Sequence, residues 1–233
     1  MEQLTLPLRI TGMLAILGAV LYAMGDVLLL ASKVNLEDYP KLKPYAKLLS
    51  DAEKMVVLSP NRMIWGALLG VFATPLVMAG YWQLYRGLAG ANDALVLTTV
   101  ILFAIGSVVG AFVHGTFYFM GEYIQALNKV DERSQPIIAD MIARHRKVLI
   151  ISYAPVLLVI LIASILFSVL VARGETHFPG WMAAVNPVTL TIAWLVSKRI
   201  LPKFITDSLE GAGFNIAFFV FFLCTTITLW NIS

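Results

Sequence analysis

The stretch Val148–Val171 reads VLIISYAPVLLVILIASILFSVLV, 24 residues without a single charge. A helix crossing a hydrocarbon core of about 30 Å needs about 20 mainly apolar residues, so this run predicts a transmembrane helix. Five more stretches pass the same test: Ile10–Ala31, Met63–Leu84, Leu95–Met120, Trp181–Ser197 and Ala212–Trp230. Together the six take up about 130 of 233 residues, which leaves no room for a soluble domain of ordinary size. The predicted fold class is therefore all-α: a single polytopic membrane domain of six transmembrane helices, joined by short loops.

Composition agrees. The chain is 59% hydrophobic and 13% charged, against about 45–50% and about 25% in soluble domains, and its mean hydropathy is +0.83. These values exclude a soluble enzyme, a disordered chain and a disulfide-rich secreted module. The lone Cys224 can form no internal disulfide and no cysteine-based metal site. Basic residues are not interleaved with aromatics as a nucleic-acid surface requires, so nucleic acid is set aside as a partner. The first apolar run continues to about Leu30 without a small-residue cleavage site, which predicts a retained helix rather than a signal peptide.

Charge placement predicts the topology. The first loop holds six Lys/Arg, the third five (Lys129, Arg133, Arg144, Arg146, Lys147) and the fifth three (Lys198, Arg199, Lys203). The other side holds Arg9, Arg86 and Arg173, a split of 14 to 3. By the positive-inside rule the odd loops are cytoplasmic and both termini lie outside, in a multi-pass protein of a bacterial-type inner or plasma membrane. The first loop also has helical spacing after Pro44: Tyr45, Leu48, Leu49, Ala52, Met55 and Val56 on one face, Lys47, Asp51 and Lys54 on the other. A weaker repeat follows Pro136, with Ile137, Ile138, Met141 and Ile142. Both predict short amphipathic helices on the cytoplasmic interface, in contact with membrane lipids.

Few polar groups fall inside the spans. Asp26 sits one turn from the cytoplasmic end of the first, where a carboxylate is costly unless it meets protein, water or a ligand. His114, Tyr118 and Glu122 follow at i, i+4 and i+8 on the third, and Gly106-x-x-x-Gly110 precedes them as a surface for close helix approach. Arg62 stands at the mouth of the second span after Ser59-Pro60-Asn61. Tyr153 and Asn215 lie early in the fourth and sixth. These groups share a depth, which predicts a cavity near the cytoplasmic leaflet with Asp26, His114 and Asn215 at its floor and Arg62, Tyr118 and Glu122 toward its mouth.

The permitted chemistry is narrow. His145 and His177 fall on opposite sides of the predicted membrane, so three histidines cannot share a zinc ion, and bis-histidine haem fails likewise. No phosphate loop, dinucleotide fingerprint or serine-nucleophile motif is present, and no cofactor is implied. Acid–base chemistry by Asp26 and His114 survives, with Arg62, Tyr118, Glu122, Tyr153 and Asn215 orienting a lipid or small amphipathic molecule. Two alternatives stay open. A small proton-coupled transporter needs polar groups reaching both faces and, with six helices, a second copy of the chain. An accessory subunit needs an exposed polar helix face. Whether the chain is an enzyme is left undecided.

The Gly25-Asp26 ending of the first helix, Ser59-Pro60-x-Arg62, His114 with Phe117, and the closing Trp230-Asn231 resemble a family of uncharacterised bacterial six-helix membrane proteins. The likeness covers nearly the whole chain. It implies an integral-membrane bundle and brings no activity and no further site residue.

Overall fold

Ser59 and Pro60 open a helix for a local reason. The Ser59 hydroxyl oxygen accepts from the Arg62 backbone N–H at 3.3 Å, and proline at the first helical position has no N–H to leave unpaired. The same logic recurs along the chain. In the computed structural model, which describes residues 2–50 and 52–230, the helices are α1 (Glu2–Leu30), α2 (Ala46–Leu49), α3 (Pro60–Gly87), α4 (Asp93–Lys129), α5 (Gln135–Ala172), α6 (Pro187–Ser197), α7 (Lys203–Ser208) and α8 (Gly213–Thr228). Asp51, expected on the polar face of a first-loop helix, and Asn231, part of the closing motif, lie outside the described residues.

The protein is all-α. Four helices, α1, α3, α4 and α5, are long and apolar enough to cross a membrane. The fifth expected span is not one uninterrupted helix. Pro187 forces Asn186 into extended backbone (φ −136, ψ 163), so a 3-10 turn at Gly180–Ala184 is followed by an α6 of 11 residues, about 16 Å long. α8, with 16 residues, covers about 24 Å. Both are shorter apolar helices.

α4 and α5 differ from expectation in the other direction, at 37 and 38 residues. Only a tight turn separates them, where the Asp131 carboxylate accepts the Ser134 backbone N–H at 2.8 Å, which holds that carboxyl below its ordinary range. Residues 136–142 are thus the first two turns of α5 and not a separate interfacial helix. The first-loop helix is also revised. α2 stops at Ser50, in left-handed backbone (φ 38), and a 3-10 stretch Ala52–Val57 follows. Its apolar side meets protein: Leu42, Leu49, Met55 and Leu58 are buried with Ile124 and Leu127 of α4 and Ile142 of α5. Arg146 donates to the Leu48 carbonyl at 2.6 Å and Gln125 to that of Leu58 at 2.7 Å. The long hairpin supplies the surface that lipid was expected to supply.

Packing runs α6–α8–α1–α3–α4–α5 around the bundle. Away from the basic loops the core is aromatic, built on Phe103, Phe167, Phe218, Phe221 and Phe222 with Tyr81. α5 and α8 meet there through Phe167 and Phe221, edge to face at 5.2 Å. α6 starts against α5, where Asn186 donates to the Ser168 hydroxyl at 3.0 Å. It ends over α8, where the Trp194 ring fills the space a side chain at Gly213 would need. The seam between α5 and α8 is therefore left uncovered toward the basic end.

Candidate functional site

That seam opens into a cavity of about 510 Å³ bounded by α1, α4, α5 and α8, with Val77 of α3 also on its wall. Asp26, His114 and Asn215 all line it, as do Tyr153, Tyr22 and Ser107. Three different helices contribute the first three residues, and each arrives by a readable route.

His114 is held on α4 by glycines of two neighbours. A side chain at Gly70 of α3 would overlap its ring, and one at Gly25 of α1 would sit 2.7 Å from the Gly66 carbonyl and 2.9 Å from the His114 ring. The small residues let α1, α3 and α4 converge on one imidazole, which is 7% exposed. Tyr22 meets its edge at 5.5 Å and donates its hydroxyl to Thr74, whose own proton goes to the Gly70 carbonyl.

The hydrogen bonds then fix where protons sit. His114 Nδ1 lies 3.2 Å from the Ala67 carbonyl oxygen. A carbonyl only accepts, so Nδ1 carries a proton and donates it. Nε2 lies 3.1 Å from Asp26 Oδ1. One proton must occupy that gap, either on nitrogen, giving imidazolium and carboxylate, or on oxygen, giving neutral imidazole and carboxylic acid. The pair is neutral overall in both cases. Asn215 Nδ2 donates to the other oxygen, Asp26 Oδ2, at 2.6 Å. A carboxyl in an apolar span is thereby satisfied on both oxygens while still facing open space.

Tyr153 also reaches the cavity, from the α5 wall. The remaining expected site residues do not. Arg62 caps α1: Nε donates to the Leu28 carbonyl at 2.7 Å, and Nη2 to those of Ala31 at 3.2 Å and Val27 at 3.3 Å. They stand at the end of α1, where carbonyls run out of helical donors, although that of Val27 also accepts the Ala31 backbone N–H at 3.1 Å. Tyr118 and Glu122 miss the cavity because each i+4 step along a helix advances about 40° around it. Two steps past His114 carry Glu122 off the stripe formed by Gly106, Gly110, Val113, His114 and Phe117. Glu122 thus stands apart from Asp26 and His114, and among the described residues no three His, Cys, Asp or Glu gather to hold a metal.

The Gly106-x-x-x-Gly110 pair divides its roles. A side chain at Gly106 would collide with Ile160 of α5 at 2.7 Å, so close approach is its function. Around Gly110 nothing lies within 4 Å of where a side chain would start, and its absence is cavity volume. Sequence reasoning did not single out Tyr22, Gly70 or Ala67. Only Gly70 left a signal, as the second glycine of Gly66-x-x-x-Gly70.

The fold and this site define an all-α protein, apolar enough to sit in a membrane, with a polar cluster opening on an internal cavity. Residues 1–231 match the model of a family of unknown function, DUF6796, and the chain belongs to that family. No curated protein and no solved structure matches the sequence.

Proposed function

We propose that the protein is a multi-pass membrane protein that holds a lipid or small amphipathic molecule in this cavity, polar end against Asp26, His114 and Asn215. The observation that carries the reading is a largely buried Asp–His pair, sharing one proton, on the wall of a mostly apolar space. Idle ionisable groups are expensive in a membrane and by default mark a site. The basic loops, placed in the cytoplasm by the positive-inside rule, put the cavity in the inner-leaflet half with both termini outside. The shared proton lies beside the bound molecule, and acid–base catalysis by Asp26 and His114 is the reactive form of the same reading.

Transport is the weaker alternative. It requires a route to the far side, and that side is packed with the aromatic core and the loop bearing Phe178, which sits against Gly87. An accessory role predicts polar residues on an exposed face of a spanning helix, whereas α4 and α5 expose Ile101, Ile105, Phe112, Ile151, Leu158 and Ile165. The test is mass spectrometry of small molecules that co-purify with the wild type, with Asp26→Asn and with His114→Ala. A lipid-like species enriched over the bulk extract in wild type and depleted in both folded variants supports the reading. Equal retention in all three, or no enrichment, overturns it.

A further inference from the structure

Resting on the cavity reading above, we infer that the ligand is a neutral, single-chain amphiphile with a hydroxyl head, entering sideways between α5 and α8. Four observations fix its class.

The first is the charge of the floor. The Asp26–His114 pair is neutral whichever atom holds the shared proton, and among the described residues no lysine or arginine lines the cavity. Arg62, the cation expected to serve an anionic head, is held by the carbonyls of Val27, Leu28 and Ala31 at the end of α1. An anionic head would enter an apolar space beside a carboxyl group without a counter-charge, and a cationic head would meet a pair with no net charge to offer. Either would lose its hydration without compensation.

The second is the pattern of free donors and acceptors. Each Asp26 oxygen makes one hydrogen bond and keeps at least one further lone pair. Among the described residues Asn215 is left with one amide N–H and its carbonyl oxygen. The floor thus offers donors and acceptors together. A hydroxyl group, which does both, is satisfied there. A carboxylate only accepts and an ammonium only donates.

The third is size. At about 30 Å³ for each water-sized group, about 510 Å³ accommodates roughly 17 methylene-sized groups. That is the head and most of one long acyl or alkyl chain, the remainder emerging through the α5–α8 opening, and not two chains. The fourth is access. Ile150, Tyr153 and Leu157 line the cavity and are also 58%, 43% and 45% exposed, so the wall on the α5 side is open to the surroundings of the bundle. The chain would lie past Gly110 toward Phe218, where the space narrows into the aromatic core.

The experiment uses the full-length protein, purified in detergent and stripped of lipid, with thermal unfolding as readout. Four probes share an oleoyl or oleyl chain: monooleoylglycerol, oleate, oleylamine and dioleoylglycerol. The first should raise Tm in a saturable way, and the charged probes should bind about tenfold more weakly or worse, the cost of leaving a polar group unpaired. Dioleoylglycerol should give no saturable shift. Gly110→Leu should abolish the monooleoylglycerol shift by filling the cavity from α4, and Ala154→Phe should do so from the opposite wall. Tighter binding of oleate, oleylamine or dioleoylglycerol, competed by the Gly110→Leu change, overturns the assigned class while the cavity reading stands. No shift with any probe, or shifts that survive both filling variants, removes the cavity reading as well.

Discussion

Two polar clusters inside the bundle are built to opposite ends. Near the basic loops, Asp26, His114 and Asn215 join α1, α4 and α8 around open space. Near the other end, Gln83 of α3 joins α1 and α8 with no space at all. Its amide N–H donates to the Leu8 carbonyl at 3.2 Å, and its oxygen accepts from Thr226 at 3.3 Å and Thr225 at 3.5 Å. A side chain at Gly12 would sit 2.5 Å from the Gln83 amide nitrogen. Gln83, Thr225 and Thr226 are fully buried, whereas Asp26 and Asn215 keep partial exposure toward the cavity and only His114 is buried. What separates them is chemistry and access: a titratable pair at a cavity wall against neutral groups in a sealed contact. The sealed cluster behaves as interhelical adhesive, and the open one keeps hydrogen-bonding capacity in reserve.

Substitutions can break this contrast. The largest effect is expected from Asp26→Ala, which leaves His114 Nε2 and the Asn215 amide without their acceptor. Losing one partner of a buried charged pair costs about 3–5 kcal/mol, to be measured by unfolding in micelles together with loss of the co-purifying molecule. A cost under 1 kcal/mol would mean the pair is not held as the geometry implies. Next is Gly70→Ala, whose new methyl group overlaps the His114 ring. Overpacking of this kind costs about 1–3 kcal/mol, and ligand retention should fall because the imidazole is pushed off Asp26.

Gln83→Leu is the control from the sealed cluster. Interhelical hydrogen bonds in membranes average about 0.6 kcal/mol, so stability should drop by roughly that amount and ligand retention should not change. Ligand loss from Gln83→Leu would erase the distinction between the clusters. A change of opposite sign is expected for Gly110→Ala. Its methyl group enters empty space, and replacing a mid-helix glycine by alanine gains about 0.8–1.0 kcal/mol at most. Thermal unfolding should show a slight gain, and ligand affinity a slight loss as the cavity shrinks.

Depth was legible in the sequence where distance was not. Asp26 was conspicuous because a carboxylate inside an apolar span has few benign explanations, and its depth matched those of His114 and Asn215. Their convergence depended on which helices adjoin, which the glycines on α1 and α3 decide and no linear pattern displays. Arg62 was misplaced for an instructive reason. A cation at the mouth of a span resembles a head-group ligand, but the carbonyls at the end of α1 are closer acceptors than anything in the cavity. Glu122 followed from treating i+8 as the same face, which holds for one turn better than for two. Gln83 drew no notice because it lies at the last residues of its predicted span, where polar side chains normally reach water. The break before α6 was written in Asn186-Pro187, yet the apolar residues on either side masked it in a length-based reading.

The acceptor that orients His114 is a main-chain atom, the carbonyl of residue 67. Point mutation can exchange the side chain at that position, but no codon change deletes a peptide oxygen. The tautomer of the imidazole is therefore inherited with the backbone path of α3 rather than with any one side chain, and it persists through sequence drift so long as the glycines at 25 and 70 survive. Directed evolution of the cavity could vary its walls widely, from Tyr153 to Phe218, without disturbing which ring nitrogen faces Asp26.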